Sequence, residues 1–257
     1  MIIPGLVSIT FRNLSPDEII ALVKKGGLKA IEWGGDIHVP HGDAAKASEV
    51  GEKTRAAGLD TAAYGSYFKL GKSASEGLDF KQVLASAEAL GSPVIRIWAG
   101  AKGSAEYSQE ERNILAEEAR KIADAAAKKN IKIAFEFHGG TLTDTTESAL
   151  KFLKECGSSN IMTYWQPPLP LTHAERVKSL WAVLPHLSNI HAFSWNTNQD
   201  GSYTRLPFAE HADDWKEYFT IAKRLPSDRY AMIEFVKNDS LEQFLDDAKA
   251  LKELISQ

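Results

Sequence analysis

The amino-acid sequence predicts an α/β protein built as a single (β/α)8 barrel over residues 1–257. Short apolar segments typical of strands alternate with amphipathic helical segments eight times, which forces parallel strands. No linker or low-complexity segment interrupts this alternation. The chain has 257 residues, close to the roughly 250 that such a barrel needs. An open doubly wound sheet is the alternative, but the GxGxxG expected after its first strand is absent.

The predicted strands are runs of mostly β-branched, aliphatic and aromatic residues, each followed by a polar or glycine-containing loop. In chain order they cover residues 5–11, 28–33, 59–64, 93–98, 131–136, 161–165, 188–193 and 229–235. The longest predicted loop, residues 194–211, follows the seventh strand.

The predicted helices begin at residues that can cap a helix N-terminus. Four of them begin with a capping residue followed by Glu three positions later, the pattern of a capping box. These pairs are Ser15 with Glu18, Ser108 with Glu111, Asp144 with Glu147, and Thr172 with Glu175. The other four helices begin at Asp43 and near residues 80, 214 and 240.

Composition and charge exclude several classes of protein. The net charge of −4 argues against a nucleic-acid partner. A lone cysteine, Cys156, excludes an internal disulfide framework and suits a reducing compartment. The N-terminus has no basic region ahead of its apolar residues, and no apolar run approaches the roughly 20 residues of a membrane helix. We therefore expect a cytoplasmic protein with no membrane association.

Four polar residues end the last four predicted strands. They are Glu136, Gln166, His191 and Glu234. Because the carboxyl ends of neighbouring parallel strands meet at one rim of a barrel, these side chains can converge on one point. Two carboxylates, an amide oxygen and an imidazole suit one divalent ion: Mn²⁺, Mg²⁺, Co²⁺ or Zn²⁺. Each residue taken alone is as easily explained by a structural role.

Six segments carry a resemblance to a known family along essentially the whole chain. They read ITFRNLSPDEII, IEWGGDIHVPHGD, VIRIWAG, FEFHGGTLTDT, IHAFSWN and MIEF. In their order and spacing they resemble the xylose isomerase-like TIM barrel superfamily of sugar isomerases and epimerases. That superfamily also contains hydroxypyruvate isomerases, inosose and dehydroshikimate dehydratases, and apurinic endonucleases. The resemblance implies metal-ligand roles for Glu136, His191 and Glu234, and acid/base roles for Glu136 and Glu234.

The chain departs from the family pattern at three positions. Gln166 replaces the usual Asp, and removes one negative charge from the ligand set. Leu169 and Thr197 stand where the ketose epimerases have His and Arg. These departures disfavour a free-ketose epimerase. The additional histidines of a three-metal apurinic endonuclease are not evident.

The predicted function is that of a metal-dependent isomerase or epimerase acting on a small sugar or sugar-derived hydroxy-carbonyl compound. A metal-bound carbonyl makes the neighbouring C–H acidic, and a carboxylate can then transfer the proton. The same ligands serve a dehydratase or lyase of a polyol or keto acid. The loss of the Asp at Gln166 also leaves open a small-molecule-binding barrel without catalysis. The sequence leaves the oligomeric state open, a homo-oligomer included.

Six further residues are candidates for substrate contact at the predicted mouth of the barrel. They are Glu32, His38, Trp98, His138, Trp195 and Arg205. Glu32 has a buried pair with Arg96 as its alternative, and His38 lies in a loop that can serve as a lid or be simply solvated. Trp33, Trp98, Trp165 and Trp195 all end strands, so we expect an apolar wall that can stack on a sugar face.

Overall fold

Eight parallel strands close into a barrel in the computed structural model, which describes residues 1–257. Around the barrel the strands follow the order β1-β10-β7-β6-β5-β4-β3-β2. Two short antiparallel strands, β8 and β9, form a separate hairpin. The strands are β1 (Ile2–Val7), β2 (Ala30–Gly34), β3 (Asp60–Lys69), β4 (Val94–Trp98), β5 (Lys132–Phe135), β6 (Ile161–Trp165), β7 (Leu187–Ala192), β8 (Trp195–Thr197), β9 (Tyr203–Arg205) and β10 (Arg229–Ile233).

Eight α-helices connect the barrel strands, which confirms the predicted (β/α)8 fold. They are α1 (Pro16–Gly26), α2 (Ala44–Ala56), α3 (Phe80–Leu90), α4 (Gln109–Ala127), α5 (Thr146–Cys156), α6 (His173–Val183), α7 (Ala212–Ala222) and α8 (Leu241–Ser256). None of these helices combines the length and the apolar character that crossing a membrane requires.

Three of the four predicted capping boxes are present, at Ser15, Ser108 and Thr172. The fourth prediction, at Asp144, is wrong, because Thr145 caps α5 and accepts from the backbone N–H of Ser148. The carboxylate of Asp144 instead accepts from the backbone N–H of Ser104 at 2.8 Å. A partner distant in sequence has taken the side chain that the local pattern assigned to the helix.

Replacing Ser108 by Ala should lower the free energy of unfolding by about 1 kcal/mol, the usual contribution of an N-cap side chain. The Ser108 hydroxyl accepts from the N–H of Glu111, whose carboxylate accepts from the N–H of Ser108. Urea unfolding of the two proteins measures the difference. Asn113→Ala, at an exposed position later in the same helix, is the control, and a loss as large in the control would contradict the capping explanation.

The first strand and the seventh loop differ from their predicted forms. β1 covers Ile2–Val7, and the next four residues, predicted as strand, form a 3-10 turn, Ser8–Phe11. Pairing with β10 and β2 determines this register, since Ile2 faces Arg229 and Val7 faces Glu32. The long seventh loop contains the β8–β9 hairpin and a further 3-10 turn.

Side chains alternate between two apolar layers. A cluster of 60 buried residues includes the outward-facing strand side chains and the helix faces that pack on them. A second cluster of nine, rich in alanine and including Tyr164, contains the residues that alternate with them. Small interior side chains leave room in the barrel for buried polar groups.

Two of the four tryptophans predicted at the rim lie elsewhere, so that part of the prediction is wrong. Trp33 and Trp165 are fully buried. Their indole N–H groups donate to Thr54 on α2 and to Ser179 on α6. Strand alternation is the reason, since a residue adjacent to an inward-facing side chain such as Glu32 must point outward.

Candidate metal centre

The four polar residues at the strand ends converge on one atom, Nδ1 of His191. Gln166 Oε1 lies 3.2 Å from it, Glu234 Oε2 3.3 Å and Glu136 Oε1 3.5 Å. His191 lies in β7, and the other three residues directly follow β6, β10 and β5. Donor atoms of Glu136, His191 and Glu234 all lie within 4.8 Å of one another, as a metal site requires.

The spacing of these atoms suits a metal ion better than a set of hydrogen bonds. A ring nitrogen carries at most one proton and can satisfy one acceptor well, yet three oxygens surround Nδ1 of His191. Ligand atoms about 2.1 Å from a common ion lie roughly 3.0–3.4 Å from one another. The observed separations, 3.2 to 3.5 Å, are close to that range.

The buried charge also calls for a cation. Three carboxylates, those of Glu32, Glu136 and Glu234, are at least nine-tenths buried, and Arg96 is the buried cation among them. With His191 neutral the group carries a net charge of −2, which is costly away from water unless compensated. One divalent ion would bring it to zero. The residues present therefore fit a divalent metal.

The electrostatics of the group show how strongly its members depend on one another. Burial alone would lower the pKa of His191, but the carboxylates of Glu234 and Glu32 hold that pKa well above its usual value. Burial alone would raise the pKa of Glu136, but the Arg96 guanidinium holds it well below its usual range. Both shifts describe the group without an ion.

Glu32 lies inside the barrel and contacts protein groups only. Its Oε1 accepts from Nε of Arg96 at 2.6 Å. Its Oε2 accepts from the Tyr164 hydroxyl at 2.9 Å and lies 3.4 Å from Nε2 of His191. The structure thus shows the pair with Arg96 that was the alternative to substrate contact.

The second oxygen of Glu136 is held by two donors from β4, Nη1 of Arg96 and the indole N–H of Trp98. Trp98 also stacks on His138, with ring centroids 4.4 Å apart. The ammonium of Lys69 lies 4.4 Å from the Trp98 ring. Trp98 and His138 therefore form one aromatic wall beside the centre, as predicted for the rim.

The β8–β9 hairpin forms another wall of the mouth. Trp195 stacks on Phe193 with centroids 4.3 Å apart, and its indole nitrogen is buried with no hydrogen-bond partner. Together with His138 and Gln166 it lines a cavity of about 270 Å³. Arg205, opposite Trp195 in the hairpin, pairs with Asp239 at 2.6 Å and lies over the Phe235 ring.

The structure does not bring His38 into this group. The His38 ring is buried, with Nδ1 2.9 Å from the Ser8 hydroxyl and Nε2 3.1 Å from the Leu14 carbonyl oxygen. Both ring nitrogens are thereby occupied in joining the loops after β1 and β2. Cys156 is buried at the end of α5, where burial raises the pKa of its thiol to about 12.

Several residues of the site were missed in the sequence. Tyr164 and Asn189 hydrogen-bond to each other at 3.0 Å beneath the centre, and Tyr67 lies 4.9 Å from the Arg96 guanidinium. The missed signal was the two-residue period of a strand. Tyr164 precedes Gln166 by two positions, and Asn189 precedes His191 by two, so each shares a face with a candidate ligand.

A family model described as xylose isomerase-like TIM barrel matches residues 20–254 of the chain. A 3-dehydroshikimate dehydratase from Bacillus anthracis is 42% identical over 67 residues. That local match spans 26% of this chain and 24% of the dehydratase.

Solved structures extend the similarity over the whole fold. A probable 3-DHS dehydratase from Bacillus anthracis, described as involved in petrobactin synthesis, superposes with a TM-score of 0.81 at 21% identity, covering 98% of this chain and 99% of that one. A D-psicose 3-epimerase, solved in the presence of D-fructose, superposes with a TM-score of 0.72 at 16% identity, covering all of both chains. At these identities the superpositions show a shared fold.

Proposed function

The chain belongs to the xylose isomerase-like TIM barrel family, and from that premise we propose that it is a divalent-metal-dependent enzyme acting on a small, sugar-like hydroxy-carbonyl compound. The observation that carries this proposal is the convergence of three oxygens on Nδ1 of His191 in a buried, net negative group. Binding without catalysis would not by itself call for two carboxylates next to the substrate position.

In this proposal Glu136, Gln166, His191 and Glu234 hold the ion. A bound divalent ion supplies a Lewis acid that polarises a substrate carbonyl and acidifies the neighbouring C–H. The amide of Gln166 contributes an oxygen without charge, so the two ligand carboxylates balance the charge of the ion.

The two carboxylates have different surroundings, which bears on their roles. Oε2 of Glu136 already accepts from Arg96 and Trp98. No side chain donates a hydrogen bond to Glu234, whose Oε2 lies near His191. We therefore assign removal of the substrate proton to Glu234. Glu136, the second predicted acid/base residue, is held mainly as a ligand.

The proton removed by Glu234 has three destinations in the reactions considered. In dehydration, the C–H electron pair forms a C=C bond while the hydroxyl on the next carbon takes up a proton and leaves as water. In isomerisation the proton returns to another carbon, and in epimerisation to the opposite face of the same carbon. The local match at 42% identity favours dehydration, so a dehydratase is the first candidate.

Isomerisation or epimerisation is the second candidate. It is favoured by the two carboxylates that flank the proposed carbonyl position, because proton removal and return need acid/base groups at both carbons or faces. Leu169 and Thr197, which replace residues expected in ketose epimerases, argue against a free ketose as the substrate.

Four of the predicted substrate-contact residues keep that role in the proposal. Trp98 with His138, and Trp195 with the cavity beside it, offer flat apolar faces against which a small ring can lie. Arg205 offers a cation at the rim, where a carboxylate or phosphate of the substrate can displace Asp239. Glu32 and His38 contact protein groups and leave the substrate set.

Incubation of the Mg²⁺-loaded protein with 3-dehydroshikimate or with D-fructose in D₂O tests these candidates. Loss of water with an unsaturated product, followed by NMR and ultraviolet absorbance, is expected of a dehydratase. Deuterium incorporation next to the carbonyl without loss of water would favour the isomerase or epimerase. Saturable binding with neither outcome, across a panel of hydroxy-carbonyl compounds, would contradict catalysis and leave a binding protein.

A further inference from the structure

We infer that Glu32 and Arg96 form a buried positioning pair that determines which atoms of His191 and Glu136 face the metal. The inference rests on the proposed metal centre but concerns residues outside its ligand set. Glu32 lies on β2 and Arg96 on β4, whereas the two ligands belong to β7 and the end of β5.

The contact between Glu32 and His191 selects one form of the imidazole. Oε2 of Glu32 lies 3.4 Å from Nε2 of His191, on the side of the ring away from the three converging oxygens. A neutral imidazole has one proton, and a carboxylate beside Nε2 stabilises the form that carries the proton there. Nδ1 then keeps its lone pair for the ion. Carboxylates commonly fix metal-bound histidines in this way.

Every nearby donor converges on Glu32, so its carboxylate form is required. Nε of Arg96 donates to Oε1, while the Tyr164 hydroxyl donates to Oε2. Asn189 in turn donates to the oxygen of Tyr164 at 3.0 Å, which fixes the direction of the Tyr164 hydroxyl. Both Glu32 and Tyr164 are fully buried. The group is closed, and this explains why Glu32 offers no contact to a substrate.

Arg96 carries the positioning effect to the second ligand. Its Nε binds Glu32 and its Nη1 binds Oε2 of Glu136. A guanidinium holds its donors in a rigid plane, so the two carboxylates are fixed relative to each other. Oε1 of Glu136 is then left facing Nδ1 of His191, 3.5 Å away. One ion pair thereby orients ligands on two strands.

Gly65 on β3 leaves the space that the pair occupies. A Cβ at this position would lie 2.7 Å from Nη2 of Arg96 and 2.8 Å from Oε1 of Glu32. These distances are shorter than any Cβ contact in real structures. An added methyl group would therefore displace the pair without removing any ligand, hydrogen-bond donor or acceptor.

Replacing Glu32 by Gln tests the inference. The amide places an NH₂ group against Arg96 or against Nε2 of His191. In the second case the proton of the imidazole is favoured on Nδ1, where it blocks the ion. We expect Zn²⁺ to bind about 10- to 100-fold more weakly, measured by competition with a chromogenic chelator. In ¹⁵N-histidine NMR of the Zn²⁺-loaded wild type, Nδ1 of His191 should be metal-bound and Nε2 protonated.

Two further variants make the test specific. Glu118→Gln, at a half-buried carboxylate on α4 that accepts only from Gly71, should leave Zn²⁺ affinity unchanged. Gly65→Ala should weaken Zn²⁺ binding by about tenfold or more, and it decides the question if Glu32→Gln does not fold.

Unchanged Zn²⁺ affinity and unchanged histidine signals in a folded Glu32→Gln protein would overturn the inference while leaving the metal centre intact. A wild-type protein that binds no divalent ion would overturn the proposed function as well. The two failures are therefore distinguishable.

Discussion

Replacing Glu234 by Gln is expected to lower the rate of substrate C–H exchange by about 10²- to 10⁴-fold, the usual contribution of a general base. The amide keeps an oxygen for the ion but cannot take up a proton. Glu234 is the carboxylate to remove because no donor side chain occupies it, unlike Glu136. Deuterium incorporation followed by NMR, with the metal-loaded protein in D₂O, measures the rate.

Glu253→Gln, at an exposed position on α8, is the matched control and should exchange at the wild-type rate. Metal content must be measured for both variants, because loss of the ion would also abolish exchange. A Glu234→Gln protein that retains its ion and exchanges normally would remove Glu234 from the mechanism and return the assignment to Glu136 or His138.

A divalent ion at about 100 times its Kd should raise the melting temperature of the chelator-treated protein by about 5–10 °C. Binding to the folded state alone contributes about 2.7 kcal/mol at that concentration, and 1 kcal/mol corresponds to roughly 2–4 °C for a chain of this size. The physical reason is the net charge of −2 among buried side chains, which the ion neutralises. Calorimetry with Mn²⁺, Mg²⁺, Co²⁺ and Zn²⁺ measures the shift and ranks the metals.

The same titration on Glu234→Gln provides the control, since one ligand charge is gone and the shift should shrink. An equal shift in both proteins would place the stabilising ion at another site. The absence of any shift, together with no stoichiometric ion in the purified protein, would contradict the metal centre itself.

Much of the site was predictable because it depends on local sequence patterns. Strand alternation and the residue that ends each strand are both readable along the chain, and parallel strands in a barrel bring their ends to one rim. Glu136, Gln166, His191 and Glu234 were identified on that ground alone. The same reasoning applied consistently would have placed Trp33 outside the barrel, next to the inward-facing Glu32.

The amino-acid sequence by itself determined the order of strands and helices, most helix caps and the polar residues at the mouth, because each follows from neighbours a few positions away. Only the tertiary structure decided the partners. Glu32 is separated from Arg96 by 64 positions and from His191 by 159, so no local pattern links them. Barrel closure brings β2, β4 and β7 around one interior, and there the cost of burying unpaired charge selects which side chains meet. The focal carboxylate Glu136 thus became part of a centre only once Arg96 and His191 were placed beside it.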